Sequence, residues 1–287
     1  MPRITQTLKL ETGAIIEYTV AGRGTPILVL HGGHSSCREE FGYKRLLEEG
    51  YSIITPSRPG YGMTSKDLGS SLDAACEAYK QLMDYLNLKK VHVIAVSAGG
   101  PSGLSFASRY PHRVHSLTLQ SAVSKGWHSR KDTTYKVAKL LFHPNTEKYT
   151  WKLLSVFSRT FPNFILKQML PSFSTLPVNQ VMQQFSQEDI EQFVAMNQRQ
   201  RSGHGFMLDL EQTTSFALSG LQAILCPTLI IHSKHDQTVV PEHAQVAHAL
   251  IPHSKLCLLE SWGHLIWLGK DAETIDRELI AFLTTTA

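Results

Sequence analysis

The stretch "VIAVSAGGPSG", residues 93–103, passes from strand-like apolar residues to small ones within a single turn. A strand that bends sharply into a helix brings the two elements close together. The positions two before and two after the bend must therefore be small, and here they are Ala95 and Gly99, followed by Gly100. Ser97, at the centre, is forced into a strained backbone conformation that costs roughly 1–3 kcal/mol. Pro101 is tolerated because its missing N–H falls among the unpaired donors of the first helical turn. This junction predicts an α/β layer in which a parallel strand exposes its C-terminal end, with Ser97 at the turn there.

The surrounding pattern agrees. "AIIEYTV" (14–20), "PILVL" (26–30), "YSIIT" (51–55), "VHVIAV" (91–96) and "SLTLQSA" (116–122) read as strands. Between them, residues 38–49, 72–86 and 104–110 read as helices, with Leu72, Cys76, Tyr79, Met83 and Leu86 on one face of the second. The alternation stops near residue 123 and resumes at "PTLIIH" (227–232). A helix at about 241–250, a strand "KLCLLE" (255–260) and a closing helix over 272–283 follow. Strands alternating with helices predict a mostly parallel sheet with helices on both faces. Residues 124–220 show helix formers and no convincing strand. The chain therefore divides into a core over 1–123 and 221–287 and a helical insertion over 124–220.

Bulk properties narrow the classes. With 287 residues, 42% hydrophobic and 18% charged, the chain suits a large globular domain. No run of 18 apolar residues is present, so no membrane span is expected. The N-terminus lacks the apolar stretch of a secretion signal, which makes a cytoplasmic location the expectation. The four cysteines are scattered without a CxxC pair, which disfavours a disulfide scaffold or a zinc finger. A net charge of +4 gives no case for nucleic acid. The charge is uneven, however. Residues 124–160 hold eight Lys or Arg, Lys131 and Arg130 among them, against Asp132 and Glu147, a local +6. The simplest reading is a solvated helix face. The alternative is a rim that attracts anionic substrates or an anionic lipid surface.

"A-V-S-A-G" at the turn has the form of a G-x-S-x-G nucleophile elbow with alanine in place of the first glycine. A serine hydroxyl is a weak nucleophile until a base takes its proton, and the base needs a partner to fix its tautomer. Asp236 lies four residues after the apolar run 228–232, and His264 lies four after Glu260, the end of the last strand. All three residues are thus expected at one edge of the sheet, in the chain order Ser, Asp, His. Singly, Asp236 reads equally as a cap for the next helix and His264 as a packed loop histidine. An oxyanion needs two N–H donors. Ala98 supplies one, and "LVLHGGHSS" after the strand 26–30 supplies Gly33 or, one residue on, His34. Metal ligation by His31 and His34, or by His232, His235 and Asp236, is the alternative use of these side chains. The triad reading requires neither metal nor cofactor.

"LVLHGG", "SRPGYGMTS", "VIAVSAGG", "ASRYPHRV", "CPTLIIHSKHD" and "ESWGHL" occur in an order that resembles the α/β-hydrolase superfamily. The lidded branch, with its esterases, peptidases, C–C bond hydrolases and cofactor-free haloperoxidases, is the nearest likeness. The resemblance implies an eight-stranded, mostly parallel sheet, a helical cap over 124–220, and a catalytic triad of Ser97, Asp236 and His264. Serine at the elbow departs from dehalogenases and epoxide hydrolases, which carry aspartate there. His34 departs from the proline usual in proline iminopeptidases. Val96 departs from the Asn or His that precedes the serine in C–C hydrolases.

The expected activity is hydrolysis of a small carboxylic ester or lactone with a partly apolar acyl group. C–C bond cleavage, perhydrolysis, or a receptor with vestigial hydrolysis are the alternatives. His34, Trp127, Trp151, Phe157 and Phe161 are the candidates for lining the pocket, and His128 follows Trp127 at the start of the cap. Such an aromatic stripe serves equally to pack cap helices against the core.

Overall fold

The computed structural model describes residues 3–40, 42–127, 133–214 and 216–286, the side chains of 133 and 134 excepted. His128, Arg130 and Lys131 therefore lie outside the described residues. Eight strands form one sheet: β1 (Thr5–Lys9), β2 (Ile15–Gly22), β3 (Thr25–Leu30), β4 (Tyr51–Pro56), β5 (Val91–Val96), β6 (Val114–Gln120), β7 (Thr228–Ser233) and β8 (Ser254–Leu259). Their spatial order is β1-β2-β4-β3-β5-β6-β7-β8. β2 pairs antiparallel with β1 and β4, and every other neighbouring pair is parallel.

Side-chain alternation explains the two covered faces. Leu28 and Leu30 of β3 join α2 (Leu72–Tyr85), α3 (Gly100–Arg109) and α10 (Glu242–Leu250) in one core. Ile27 and Val29, pointing the other way, pack with α1 (Lys44–Glu48) and α11 (Ala272–Thr285). The chain reverses its winding direction at β3, whose neighbours are β4 on one side and β5 on the other. Such a switch point opens a crevice at the C-terminal ends of the strands. "HGG" and Ser97 both emerge there.

Between β6 and β7 the chain forms α4 (Thr133–Leu141), α5 (Glu147–Thr160), α6 (Pro162–Phe173), α7 (Val178–Met182), α8 (Gln187–Arg199) and α9 (Gly205–Thr214). Leu166, Leu170, Phe193 and Met196 of these helices share a core with Trp262, Leu265 and Leu268 from the loop after β8. The insertion is thus packed onto the segment that carries His264. Among the described residues no helix is long and apolar enough to cross a membrane.

Two expectations need correction. The helix read over 38–49 is helical only from Lys44 to Glu48. Upstream, the Ser35 hydroxyl binds Glu39 and the Cys37 N–H binds the Ser57 hydroxyl, and these contacts hold the chain in turns. β1 was not expected, because its edge position leaves most of its residues exposed and without an apolar run.

Candidate active site

Ser97 has φ +50°, the left-handed conformation that the sharp turn demands. Its carbonyl accepts hydrogen bonds from Gly100 N–H and, at 2.9 Å, from Val123 N–H. A Cβ on Gly99 would stand 2.3 Å from the Leu30 carbonyl, and one on Gly103 would stand 2.5 Å from the Ala95 Cβ. Gly103 in α3 therefore makes room for the methyl that replaces the usual first glycine of the elbow.

The three residues read from the strand ends meet. Ser97 Oγ lies 2.9 Å from His264 Nε2, and His264 Nδ1 lies 2.7 Å from Asp236 Oδ2. Asp236 does not cap α10. Its Oδ1 accepts the backbone N–H groups of Thr238 (2.9 Å) and Val239 (2.8 Å). Burial alone would raise this carboxyl. His264 and His232 outweigh it and bring Asp236 down to about 2. An ionised Asp236 only accepts, so the His264 proton sits on Nδ1 and the Nε2 lone pair faces the serine hydroxyl. His232 Nε2 donates to the Val239 carbonyl at 2.7 Å and stands 3.2 Å from Asp236 Oδ2. His232 thus supports the acid, while His235 turns outward to Glu260. Among the described residues, no three His, Cys, Asp or Glu side chains are grouped to hold a metal ion.

"HGG" passes directly over the elbow. A Cβ on Gly32 would be 3.3 Å from Ser97 Cβ, and one on Gly33 would be 3.6 Å from Ala98 Cβ. The His34 N–H is engaged by the Tyr61 hydroxyl at 3.4 Å, whereas no described residue accepts from the Gly33 N–H. Ala98 precedes the first hydrogen bond of its helical turn, so its N–H is also directed out of the helix.

A buried ion pair holds this loop. The Arg58 guanidinium donates to both Asp209 oxygens, at 2.5 and 2.7 Å, and to the carbonyls of His31 (2.6 Å) and Gly32 (3.2 Å). Tyr61 Oη donates to the same Asp209 at 2.6 Å. His31 Nδ1 donates to the Gly32 carbonyl and Nε2 accepts from Arg58 N–H. Burial and the Arg58 charge keep His31 well below the usual histidine range, so it is neutral. Neither Arg58 nor Asp209 was singled out from sequence. The "SRPGYG" motif marked the first, and nothing local marked the second.

The insertion supplies an aromatic wall above "HGG". The His34 ring packs against Phe206 (4.0 Å between centroids), Phe142 (4.3 Å) and Trp151 (5.1 Å). Burial pushes His34 down to about 3, so the ring is neutral. The Ser202 hydroxyl accepts from Trp151 Nε1 and pairs with His34 Nδ1, both at 2.8 Å. Trp127 donates to the Thr238 carbonyl at 3.0 Å and meets Phe206 edge-on. His34, Trp127 and Trp151 are therefore brought together, joined by Phe142 and Phe206, which the sequence did not reveal. Phe157 and Phe161 are not. They are 43% and 53% exposed on the outside of the insertion, since α5 turns Trp151 inward instead.

The C-terminal end of α6 grips the opposite side of the site. The Phe173 carbonyl accepts from His264 N–H (2.9 Å) and Gln237 N–H (3.3 Å). The Ser172 carbonyl accepts from Thr238 Oγ1 at 2.7 Å. The Phe173 ring lies parallel to the His264 ring, 6.3 Å away.

This fold matches a known class. The model of the "alpha/beta hydrolase fold" family covers residues 25–271, and the chain belongs to that family. It is 54% identical over 283 residues, 99% of each chain, to a protein named "Uncharacterized hydrolase YcgS" from Bacillus subtilis (strain 168). It is 26% identical to "2-hydroxy-6-oxononadienedioate/2-hydroxy-6-oxononatrienedioate hydrolase 2" of Pseudomonas putida, over 93% of this chain and 91% of that one. Among solved structures, an "Alpha/beta hydrolase fold protein" from Nakamurella multipartita superposes with a TM-score of 0.84 at 27% identity, covering 98% of this chain and 99% of that one.

Proposed function

We propose that this hydrolase cleaves a small carboxylic ester or lactone through an acyl-enzyme, with Ser97 as nucleophile, His264 as base and Asp236 as its orienter. One observation carries the reading: the hydrogen-bonded line Ser97 Oγ–His264 Nε2 (2.9 Å) and His264 Nδ1–Asp236 Oδ2 (2.7 Å), with the serine on a strained turn. His264 Nε2 takes the Ser97 proton as Oγ bonds to the carbonyl carbon. The resulting oxyanion accepts from the N–H groups of Gly33 and Ala98. The C–O bond then breaks, and His264 returns the proton to the leaving alkoxide. Water, deprotonated by the same histidine, releases the acid and restores Ser97. Residues 124–220 act as the cap. Phe142, Trp151, Phe206 and Trp127 suit an acyl group that is at least partly apolar.

The likeness to the Pseudomonas putida enzyme supports a second reading, hydrolysis of a C–C bond at the same three residues. A panel of short p-nitrophenyl esters, lactones, amides and vinylogous diketones separates the two. Steady turnover of esters or lactones is the expected result. Turnover of diketones alone would replace the first reading with the second.

A further inference from the structure

We propose that the outer face of α5, continued by the start of α6, is a docking surface for an anionic lipid bilayer. The helix has three distinct sides. Glu147, Trp151 and Ser158 are buried. Tyr149, Leu153, Val156 and Phe157, spaced as one face of an α-helix, are 64%, 60%, 45% and 43% exposed. Phe161, at the turn that ends α5, and Phe164, in the first turn of α6, are 53% and 60% exposed. Aromatic side chains carry about 150–250 Å² each. The four aromatic residues alone thus expose on the order of 400 Å², within the range of about 300–600 Å² of the largest apolar patch on a typical monomer, which is often functional.

The third side of α5 identifies the partner. Lys148, Lys152 and Arg159 recur at four- and seven-residue spacing along the edge of the apolar stripe. Lys152 and Arg159 form no ion pair among the described residues. From residue 133 to 173 the sequence has six Lys or Arg and one acidic residue, Glu147. That carboxylate is buried and committed to Arg201 and the Ser202 N–H. Beside the cations a groove of about 480 Å³, lined by Lys148, Lys152, Gln198, Gln200 and Arg201, offers donors for a phosphate headgroup. Apolar side chains flanked by cations are the pattern that lies in a bilayer interface and draws on anionic lipid. A second copy of the chain suits the surface poorly. A two-fold contact would set each cationic edge against its own copy or leave it unused. Trp151, on the buried side of α5, reaches the His34 wall, so the bilayer would lie about one helix diameter, 10–12 Å, from the site. The docking does not depend on which bond the site cleaves.

Sedimentation of the full chain with phosphatidylcholine vesicles, with and without about 30 mol% phosphatidylglycerol, tests this. Binding to the anionic vesicles, falling as salt is raised from about 50 to 300 mM, is expected, with little binding to the neutral ones. At about 1 kcal/mol per cation near the surface, Lys152→Gln with Arg159→Gln should weaken partitioning about 25-fold. Leu153→Ser with Phe164→Ser should abolish it at unchanged melting temperature. Equal binding to both vesicle types, or no binding, would overturn the proposal. So would a dimer in light scattering that the Leu153 and Phe164 changes dissociate. The salt and lipid dependence of the unmodified chain decides the matter even if a variant folds poorly.

Discussion

Gly263, one residue before His264, gives a direct test of whether the insertion positions the base. A Cβ at this position would lie 2.5 Å from the Phe173 oxygen, 3.0 Å from Ser174 Cβ and 3.1 Å from the Phe173 carbonyl carbon. Ordinary contact begins at 3.4 Å, so Gly263→Ala must open a gap of roughly 0.9 Å. The Phe173 carbonyl cannot yield alone. It holds His264 and Gln237, the Ser174 hydroxyl binds the Trp262 carbonyl, and Leu166 and Leu170 anchor α6 in the core. The His264 loop therefore takes up part of the shift. A misplacement near 1 Å costs a catalytic group about 10²-fold. The expected outcome is a kcat about 100-fold lower with KM little changed, and fluorophosphonate labelling of Ser97 slowed to match. Overpacking by one methyl should cost about 1–3 kcal/mol, which a thermal melt would read as a drop of a few degrees. A variant that turns over within about threefold of wild type would refute the claim that α6 sets the base.

The assigned roles yield further outcomes. Ser97→Ala should abolish fluorophosphonate labelling and lower kcat by about 10⁶. Labelling at Cys37 instead would refute the assignment, and is not expected because burial pushes that thiol up to about 11. Asp236→Asn should lower kcat by about 10⁴ while the chain stays folded. Asp236 is held near 2, below its unfolded value of about 3.9, so its contribution to stability is full above about pH 4 and lost as pH falls toward 2. Denaturant melts of wild type should therefore lose about 2 kcal/mol more over that window than those of Asp236→Asn. Asp209→Ala strands the buried Arg58 charge and should cost about 3–5 kcal/mol, read as a drop in melting temperature of roughly 10 °C.

The meeting of Ser97, Asp236 and His264 was legible in the sequence because each lies at or just beyond the C-terminal end of a strand with a plain apolar signature: Ser97 after β5, Asp236 after β7 and His264 after β8. Chain order and the small residues of the turn then limited the pairings. What escaped was set by long-range packing. Arg58 and Asp209 are 151 residues apart, and no periodicity relates them. Phe206 and Phe142 become wall residues only through where α9 and the end of α4 come to rest. Phe157 and Phe161 misled for a related reason. An aromatic stripe at helical spacing normally faces inward, but α5 spends its inward side on Glu147, Trp151 and Ser158.

The contacts of the insertion also predict which part of it moves. α6 is tied to the loops that carry Asp236 and His264 through Ser172, Phe173 and Ser174. α9 is tied to the core through Asp209 and through the Gly205 N–H, which donates to the Gly60 carbonyl at 3.0 Å. A Cβ on Gly205 would fall within 2.4 Å of the Tyr61 ring, so no slack exists there. Lifting either helix would pull on the triad loops or on the loop of Gly32 and Gly33. By contrast, among the described residues the side-chain hydrogen bonds of α5 run to other parts of the insertion, as from Thr150 to Leu141, Trp151 to Ser202 and Glu147 to Arg201. Its Trp151 meets the core through ring packing on His34. Substrate access over α4 and α5 would leave the loops of Ser97, Asp236 and His264 undisturbed, and that is the predicted route. Segments with few ties to the core exchange their amide hydrogens by local opening, at a free-energy cost below that of global unfolding. Amides of α4 and α5 should exchange well before those of α6 and α9 under native conditions. Equal protection of α5 and α6 would show that the insertion opens as one body, and access over α4 and α5 would then be wrong.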